Sequence, residues 1–279
     1  MRLAVARRLC VCLLAAAALA VPARAASIFD DFESYAPGSF PSPTWSDVRS
    51  VALPNAPLPS AQVIATTDAF GHPTQALQTL DAVSPSEGIY TSIDPADQHD
   101  LAGDVRVDRY GTLGPGASPS SDWPAMLGLS DIIAGSDVCC FPTPQLGIYA
   151  STQTQGWRLY AIDAAGNATD IDLGAAAAVG TWYHVDLDVD ALTGSVTSRV
   201  VDIATGTLVI DRTDVIPGWT ATDFDAIAFF DGELSEPDVA GLGSLDNVSY
   251  AAVPEPGTLS LVSLGLVAAS LAWRRPYPK

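Results

Sequence analysis

Residues 181–212 read TWYHVDLDVDALTGSVTSRVVDIATGTLVIDR. Three short runs, Trp182–Val189, Ser195–Asp202 and Thr207–Arg212, are separated by Leu192-Thr193-Gly194 and Ala204-Thr205-Gly206. In the first run Val185, Leu187 and Val189 alternate with Asp186, Asp188 and Asp190. That period of two puts the apolar side chains on one face of a strand, toward a core, and the carboxylates on the other, toward water. Glycine at the end of each separator supplies the backbone freedom a hairpin turn needs. The stretch is predicted as successive antiparallel strands joined by hairpins.

The same aspartates, Asp186-Leu187-Asp188-Val189-Asp190, resemble the opening of an EF-hand loop. The rest of that pattern fails, because Ala191 stands where glycine should make the turn and Thr197 where a bidentate Glu belongs. A solvated strand face is the better reading.

Working outward, comparable runs recur between Gly, Pro, Asn and Asp punctuation. Ala76–Leu80, Gly88–Ile93, Asp104–Tyr110, Met126–Ile133, Gln145–Ala150 and Trp157–Asp163 precede the quoted stretch, and Ala226–Phe230 and Leu245–Tyr250 follow it. A further turn is predicted at Ala164-Ala165-Gly166-Asn167. Gly111 to Pro124 reads as a long inserted loop, and Ala175 to Ala178 as one helical turn or a loop passage. Many strands at hairpin spacing predict an all-β antiparallel β-sandwich with a helix at each chain end.

The ends carry their own patterns. Arg2, Arg7 and Arg8 precede an apolar run, Leu9 to Val21, and Ala23-Arg24-Ala25 sets small residues at a cleavage position. Residues 1–25 are therefore predicted as a signal peptide cut before Ala26, leaving an ectodomain over 26–252. At the other end, 257–273 carries no charge, and as a helix would be about 25 Å long, at the short end of what spans a bilayer. Arg274, Arg275 and Lys279 follow it and would stay cytoplasmic. Between ectodomain and span, Val253-Pro254-Glu255-Pro256 continues neither strand nor helix and reads as an extended recognition segment.

Composition narrows the function classes. From Ala26 to Val253 there are 31 Asp and Glu against six Arg and no Lys, which leaves a charge of −25. Such a surface repels nucleic-acid phosphates and anionic lipid headgroups. It suits a secreted protein kept soluble by self-repulsion and able to hold divalent cations. Cys139 and Cys140 are the two cysteines beyond the signal peptide. A disulfide between such neighbours closes a strained ring, and free thiols or an intermolecular bond are equally open.

Pro-Glu-Pro, an apolar span and a terminal arginine pair together resemble the PEP-CTERM sorting signal over Val253 to Lys279. The resemblance implies an exosortase as partner, export to the cell surface or extracellular matrix, and association with exopolysaccharide. Phe29-Asp30-Asp31-Phe32-Glu33-Ser34-Tyr35, Thr181-Trp182-Tyr183-His184-Val185 and Leu245-Asp246-Asn247-Val248 resemble phrases of laminin-G-like or concanavalin-like jelly-roll ectodomains. That second resemblance implies a calcium ion tying the first and last strands, with Glu33 and Asp246 as matching ligands and Asp31 as helper. Hard oxygens from two distant segments would turn ion binding into folding energy.

Sugar rings present C–H patches beside hydroxyls, so aromatic faces flanked by Asp, Asn or Arg bind them. Trp123 and Trp219, both in loop contexts, are the candidates. Trp157 and Trp182 read equally well as core. No paired-carboxylate signature, nucleophile elbow or histidine metal spacing appears, so no catalytic residue is singled out. The sequence thus predicts a non-catalytic, exported jelly roll that binds extracellular polysaccharide or matrix proteins. A polysaccharide-active enzyme and a purely structural or adhesive matrix protein are the alternatives.

Overall fold

The computed structural model describes residues 27–48, 59–80, 86–112, 122–131, 136–138, 141–143, 145–163, 165–216, 224–233 and 241–252. The predicted signal peptide, the sorting segment with its predicted span, Trp219 and the Cys139–Cys140 pair lie outside them. Ala26–Ala252 forms a compact unit of its own.

Two antiparallel sheets carry the fold. The first contains β1 (Ser27–Asp30), β3 (Ala61–Thr67), β4 (Pro73–Thr79), β6 (Gln98–Arg109), β13 (Trp182–Asp190), β14 (Ser195–Asp202), β15 (Thr207–Val215) and β17 (Leu242–Ala252). Its order is β15-β14-β13-β6-β17-β4-β3, and β1 also pairs with β17. The second runs β12-β11-β10-β7-β16-β5-β2. Its members are β2 (Ser46–Asp47), β5 (Ser86–Ser92), β7 (Asp122–Ser130), β10 (Gln145–Ser151), β11 (Gly156–Ile162), β12 (Ala168–Ala176) and β16 (Ala226–Glu233). A small ribbon pairs β8 (Ser136–Val138) with β9 (Phe141–Thr143). The chain is an all-β antiparallel sandwich of jelly-roll type.

The quoted stretch folds as its alternation requires. Val185, Leu187 and Val189 are fully buried, Asp186 and Asp190 are half-buried and Asp188 is exposed. The turns carry Gly194 at φ 69° and Gly206 at φ 68°, a region that favours glycine. On β6, Leu101, Val105 and Val107 point inward in the same way. Each such aliphatic side chain contributes about 1.5–3 kcal/mol relative to exposure. Trp157 of β11 meets Tyr183 of β13 edge-on across the two sheets, with ring centroids 5.4 Å apart. Trp157 is therefore core, as one of its two readings had it.

Three sequence expectations are corrected. Ala175 and Ala176 end strand β12 instead of forming a helical turn, because β12 must pair with β11 along its length. Trp123 and Pro124 stand in β7, not in a loop. Trp123 is 1% exposed and packs against Tyr149 and Tyr160 at 5.0 and 5.2 Å, so its ring is covered and offers no face to a sugar. With Met126, Ile162, Ala226 and Ala228 these rings form a second apolar cluster beside the main core.

Candidate functional site

The outer face of the first sheet collects its chemistry in two rows across β13, β6 and β17. Alternation on β6 turns Asp104, Arg106 and Asp108 away from the core while Val105 and Val107 fill it. Pairing then sets Trp182, Arg106 and Ser244 side by side, and His184, Asp104 and Asp246 in the next row.

In the first row the Arg106 guanidinium carbon lies 4.6 Å from the centroid of the Trp182 ring. Arg106 Nε donates to Asp108, and its Nη1 donates to Thr66 Oγ1 at 3.0 Å. Asp108 Oδ2 also accepts from Gln78 Nε2 at 2.8 Å and from the Ser244 hydroxyl. The Trp182 indole N–H donates to the Thr67 carbonyl at 2.8 Å. Stacked and hydrogen-bonded in this way, Arg106 and Trp182 are held in fixed orientation.

In the second row His184 bridges two carboxylates, Nδ1 to Asp104 Oδ1 at 2.6 Å and Nε2 to Asp186 Oδ1 at 3.3 Å. Hydrogen bonds to Asp104 and then Asp186 raise its pKa to about 10, so the imidazolium is the working form. Asp104 Oδ2 accepts from Asn247 Nδ2 at 2.8 Å. Asn247 sits at φ 49° in a one-residue bulge of β17, where Asp246 opposes Asp104 and Ser249 opposes Ala102. The bulge turns the Asp246 carboxyl back onto the Asn247 amide at 2.7 Å and leaves Asp246 only 5% exposed. Burial, reinforced by the charges of Asp104, Glu33 and Asp31, pushes its pKa up to about 7.

Asp31, Glu33 and Asp246 are therefore electrostatic neighbours, yet they do not form a ready cage. Glu33 accepts from Thr74 Oγ1 at 2.6 Å and from the Gln75 amide at 2.8 Å, which tie it to β4 and lower its pKa. Among the described residues no three His, Cys, Asp or Glu side chains converge as a metal centre would need. The chemistry of the donors suits calcium, but their present arrangement does not close around it. The acid that organises this end of the sandwich is instead Asp30, which accepts from Phe32 N, Tyr35 Oη and Trp45 Nε1, each at 2.8 Å.

Sequence reasoning singled out Glu33 and Asp246 and passed over Asp104, Arg106 and His184. The run Asp104-Val105-Arg106-Val107-Asp108 carried the signal, a charged residue at every second position of a strand. Which strands flank it is set by long-range pairing and is not written locally.

Comparison with known proteins bears on both parts of the chain. Residues 252–275 match the PEP-CTERM protein-sorting motif, a range that takes in Val253 to Pro256 with Arg274 and Arg275. No curated protein matches the chain. Among solved structures, arcelin-5, a lectin-like defence protein from Phaseolus vulgaris, superposes with a TM-score of 0.50 at 10% identity, over 84% of this chain and 100% of that one. Basic winged bean lectin with Tn-antigen gives 0.49 at 9% identity over 82% and 99%. Lectin II from Ulex europaeus gives 0.47 at 11% identity over 81% and 97%. At such identities the likeness is one of fold.

Proposed function

We propose that the chain is a non-catalytic, lectin-like binding protein of the cell surface or exopolysaccharide matrix, delivered there by an exosortase acting on the PEP-CTERM motif. One observation carries the reading: the sorting motif begins at residue 252, where the last strand of an arcelin-like sandwich ends. The sandwich is the part that faces the outside, and everything that follows its last strand is address. A fold of this kind hosts many activities, so binding is argued from the surface as well. The outer face sets Arg106 among a row of carboxylates, donors and acceptors that can exchange hydrogen bonds with the hydroxyls of a sugar ring, while Trp182, only 4% exposed, holds Arg106 in place.

Before processing, the apolar stretch 257–273 with Arg274 and Arg275 would hold the chain in the inner membrane, with the sandwich on the far side. Calcium at Asp31, Glu33 and Asp246 would brace the β1–β17 end of the sandwich. Glycan recognition is not routed through the ion.

The full-length protein, incubated with the producer's own exopolysaccharide, is expected to bind saturably and to release neither reducing ends nor unsaturated products. Product release would make it a polysaccharide-active enzyme. Absence of binding by folded protein would remove the glycan reading and leave contact with matrix proteins.

A further inference from the structure

His99 is fully buried on β6, at the end of the first sheet where β17 gives way to the sorting motif. Alternation along β6 turns it to the same side as Leu101 and Val105, while Asp100 takes the water side. Pairing sets it beside Val189 of β13 and Ala252, the last residue of β17. Its Nδ1 lies 3.0 Å from Tyr250 Oη, and Phe224 stands edge-on to the ring with centroids 5.5 Å apart. Both partners belong to the main core. Nε2 has no hydrogen-bond partner among the described residues.

A neutral imidazole suits this place and an imidazolium does not. The neutral ring shares one hydrogen bond with Tyr250 and leaves its other nitrogen bare. The protonated ring would carry an N–H on each nitrogen and a full charge, with nothing to receive the Nε2 proton. The acids around it do little to compensate. On the approach to β6, Asp97 acts on the ring by charge, whereas Asp94 acts on Tyr250. On β13, Asp188 faces water and Asp190 accepts from the amides of Leu192 and Thr193 in its own turn. Asp225 follows Phe224 in sequence, with its backbone N–H bonded to the Ser130 carbonyl. Burial outweighs the Ala96 carbonyl and the Asp97 charge and holds the pKa of His99 below the ordinary 6.5.

Strand ends open more readily than strand centres. The groups nearest His99 on β17 are such an end, Tyr250 to Ala252, and Tyr250 and Ala251 are also the partners of Ile28 and Ser27 on β1. We propose that His99 is an acid-sensitive latch: its protonation frees the Tyr250–Ala252 end of β17, together with the start of β1, and lengthens the tether ahead of the sorting motif. Residues 250–252 would add roughly 10 Å of extended chain. The sign follows from linkage. Above pH 6.5 the latch is fully closed. Below it the open form takes up a proton that the closed form refuses, so opening becomes up to about tenfold easier per pH unit until the folded pKa is reached. The latch is independent of what the sandwich binds.

Hydrogen–deuterium exchange of the full-length protein, read by mass spectrometry from about pH 7.5 to about 4.5 and corrected for the chemical exchange rate, tests it. A local readout is needed because Asp246, with its pKa raised to about 7, strengthens the fold as pH falls through the same range. Peptides covering Tyr250 to Ala252 and Ser27 to Ile28 should lose up to about tenfold protection per pH unit below 6.5, while β10 and β11 keep theirs. His99→Phe and His99→Gln, neither of which can take a proton, should hold protection level across the range. Flat protection at Tyr250–Ala252 in the unaltered protein overturns the latch whether or not the variants fold. A loss that persists in either variant overturns it too, by assigning the opening to another acid. Equal loss in β10 and β11 would make the event general acid unfolding and overturn it likewise.

Discussion

His184 shows what a single side chain does on a face dominated by acid. Its folded pKa, about 10, lies above the ordinary 6.5 because Asp104 and Asp186 both bind the imidazolium. A group raised in this way contributes its full stabilisation below pH 6.5 and loses it as pH climbs through 10. The side chain is 40% exposed, so solvent screening holds the effect to roughly 1 kcal/mol or less. The melting temperature should therefore fall between pH 7 and 10, and His184→Gln should flatten that limb; equal slopes in both proteins would refute the coupling. Legibility at this scale was uneven. The inward set Val185, Leu187 and Val189 could be read directly, because period-two alternation is a local property. The burial of Asp246 could not, since it depends on a bulge at Asn247 that sequence does not mark. Trp123 misled for a related reason: Pro-, Gly- and Ser-rich sequence runs up to it, while its covering partners Tyr149 and Tyr160 lie in strands far along the chain.

Among the elements, β7 and β10 are paired through two glycines that leave no room for a side chain. Gly128 and Gly147 face each other in register. A Cβ at Gly128 would stand far inside van der Waals contact with the Leu146 carbonyl oxygen, and one at Gly147 would collide with the Met126 methyl and the Leu127 carbonyl. Backbone cannot yield as a flexible side chain can, so Gly128→Ala should cost about 1–3 kcal/mol in urea unfolding. An unchanged midpoint would mean that the two strands are free to separate. The strand order itself was hidden from sequence. β14 was predicted with its observed bounds, because turn glycines bracket it. β12 was missed although Thr169, Ile171 and Leu173 alternate with Asp170 and Asp172, because Gly174 and the alanines after it break the pattern, and β1 and β3 gave runs too weak or too mixed to stand out. A small cleft lined by Asp68, Arg106, Asp202 and Ala204 is built by turns more than 130 residues apart, so its parts are readable singly and its existence only from the fold.

For the molecule as a whole, a charge of −25 over Ala26 to Val253 means that folding works against its own field. Sodium chloride should raise the melting temperature by screening. If the proposed calcium site forms, calcium should raise it further than sodium chloride at equal ionic strength, by relieving the repulsion that Glu33 and Asp31 exert on Asp246. Asp246→Asn should erase that excess and keep the general salt response; an excess that persists in the variant would place the ion elsewhere. One feature of β17 reaches beyond thermodynamics. It is an interior strand, bonded to β6 from Leu242 to Ala252 and, close to its exit, to β1 through Ser27↔Ala251 and Ile28↔Tyr250. Tension arriving through the tail thus enters between two ladders and pulls along them. Many hydrogen bonds share that shear load at once, whereas an edge strand would peel open one bond at a time, and a protein tethered by its tail in a flowing, dragged matrix would hold its shape for that reason.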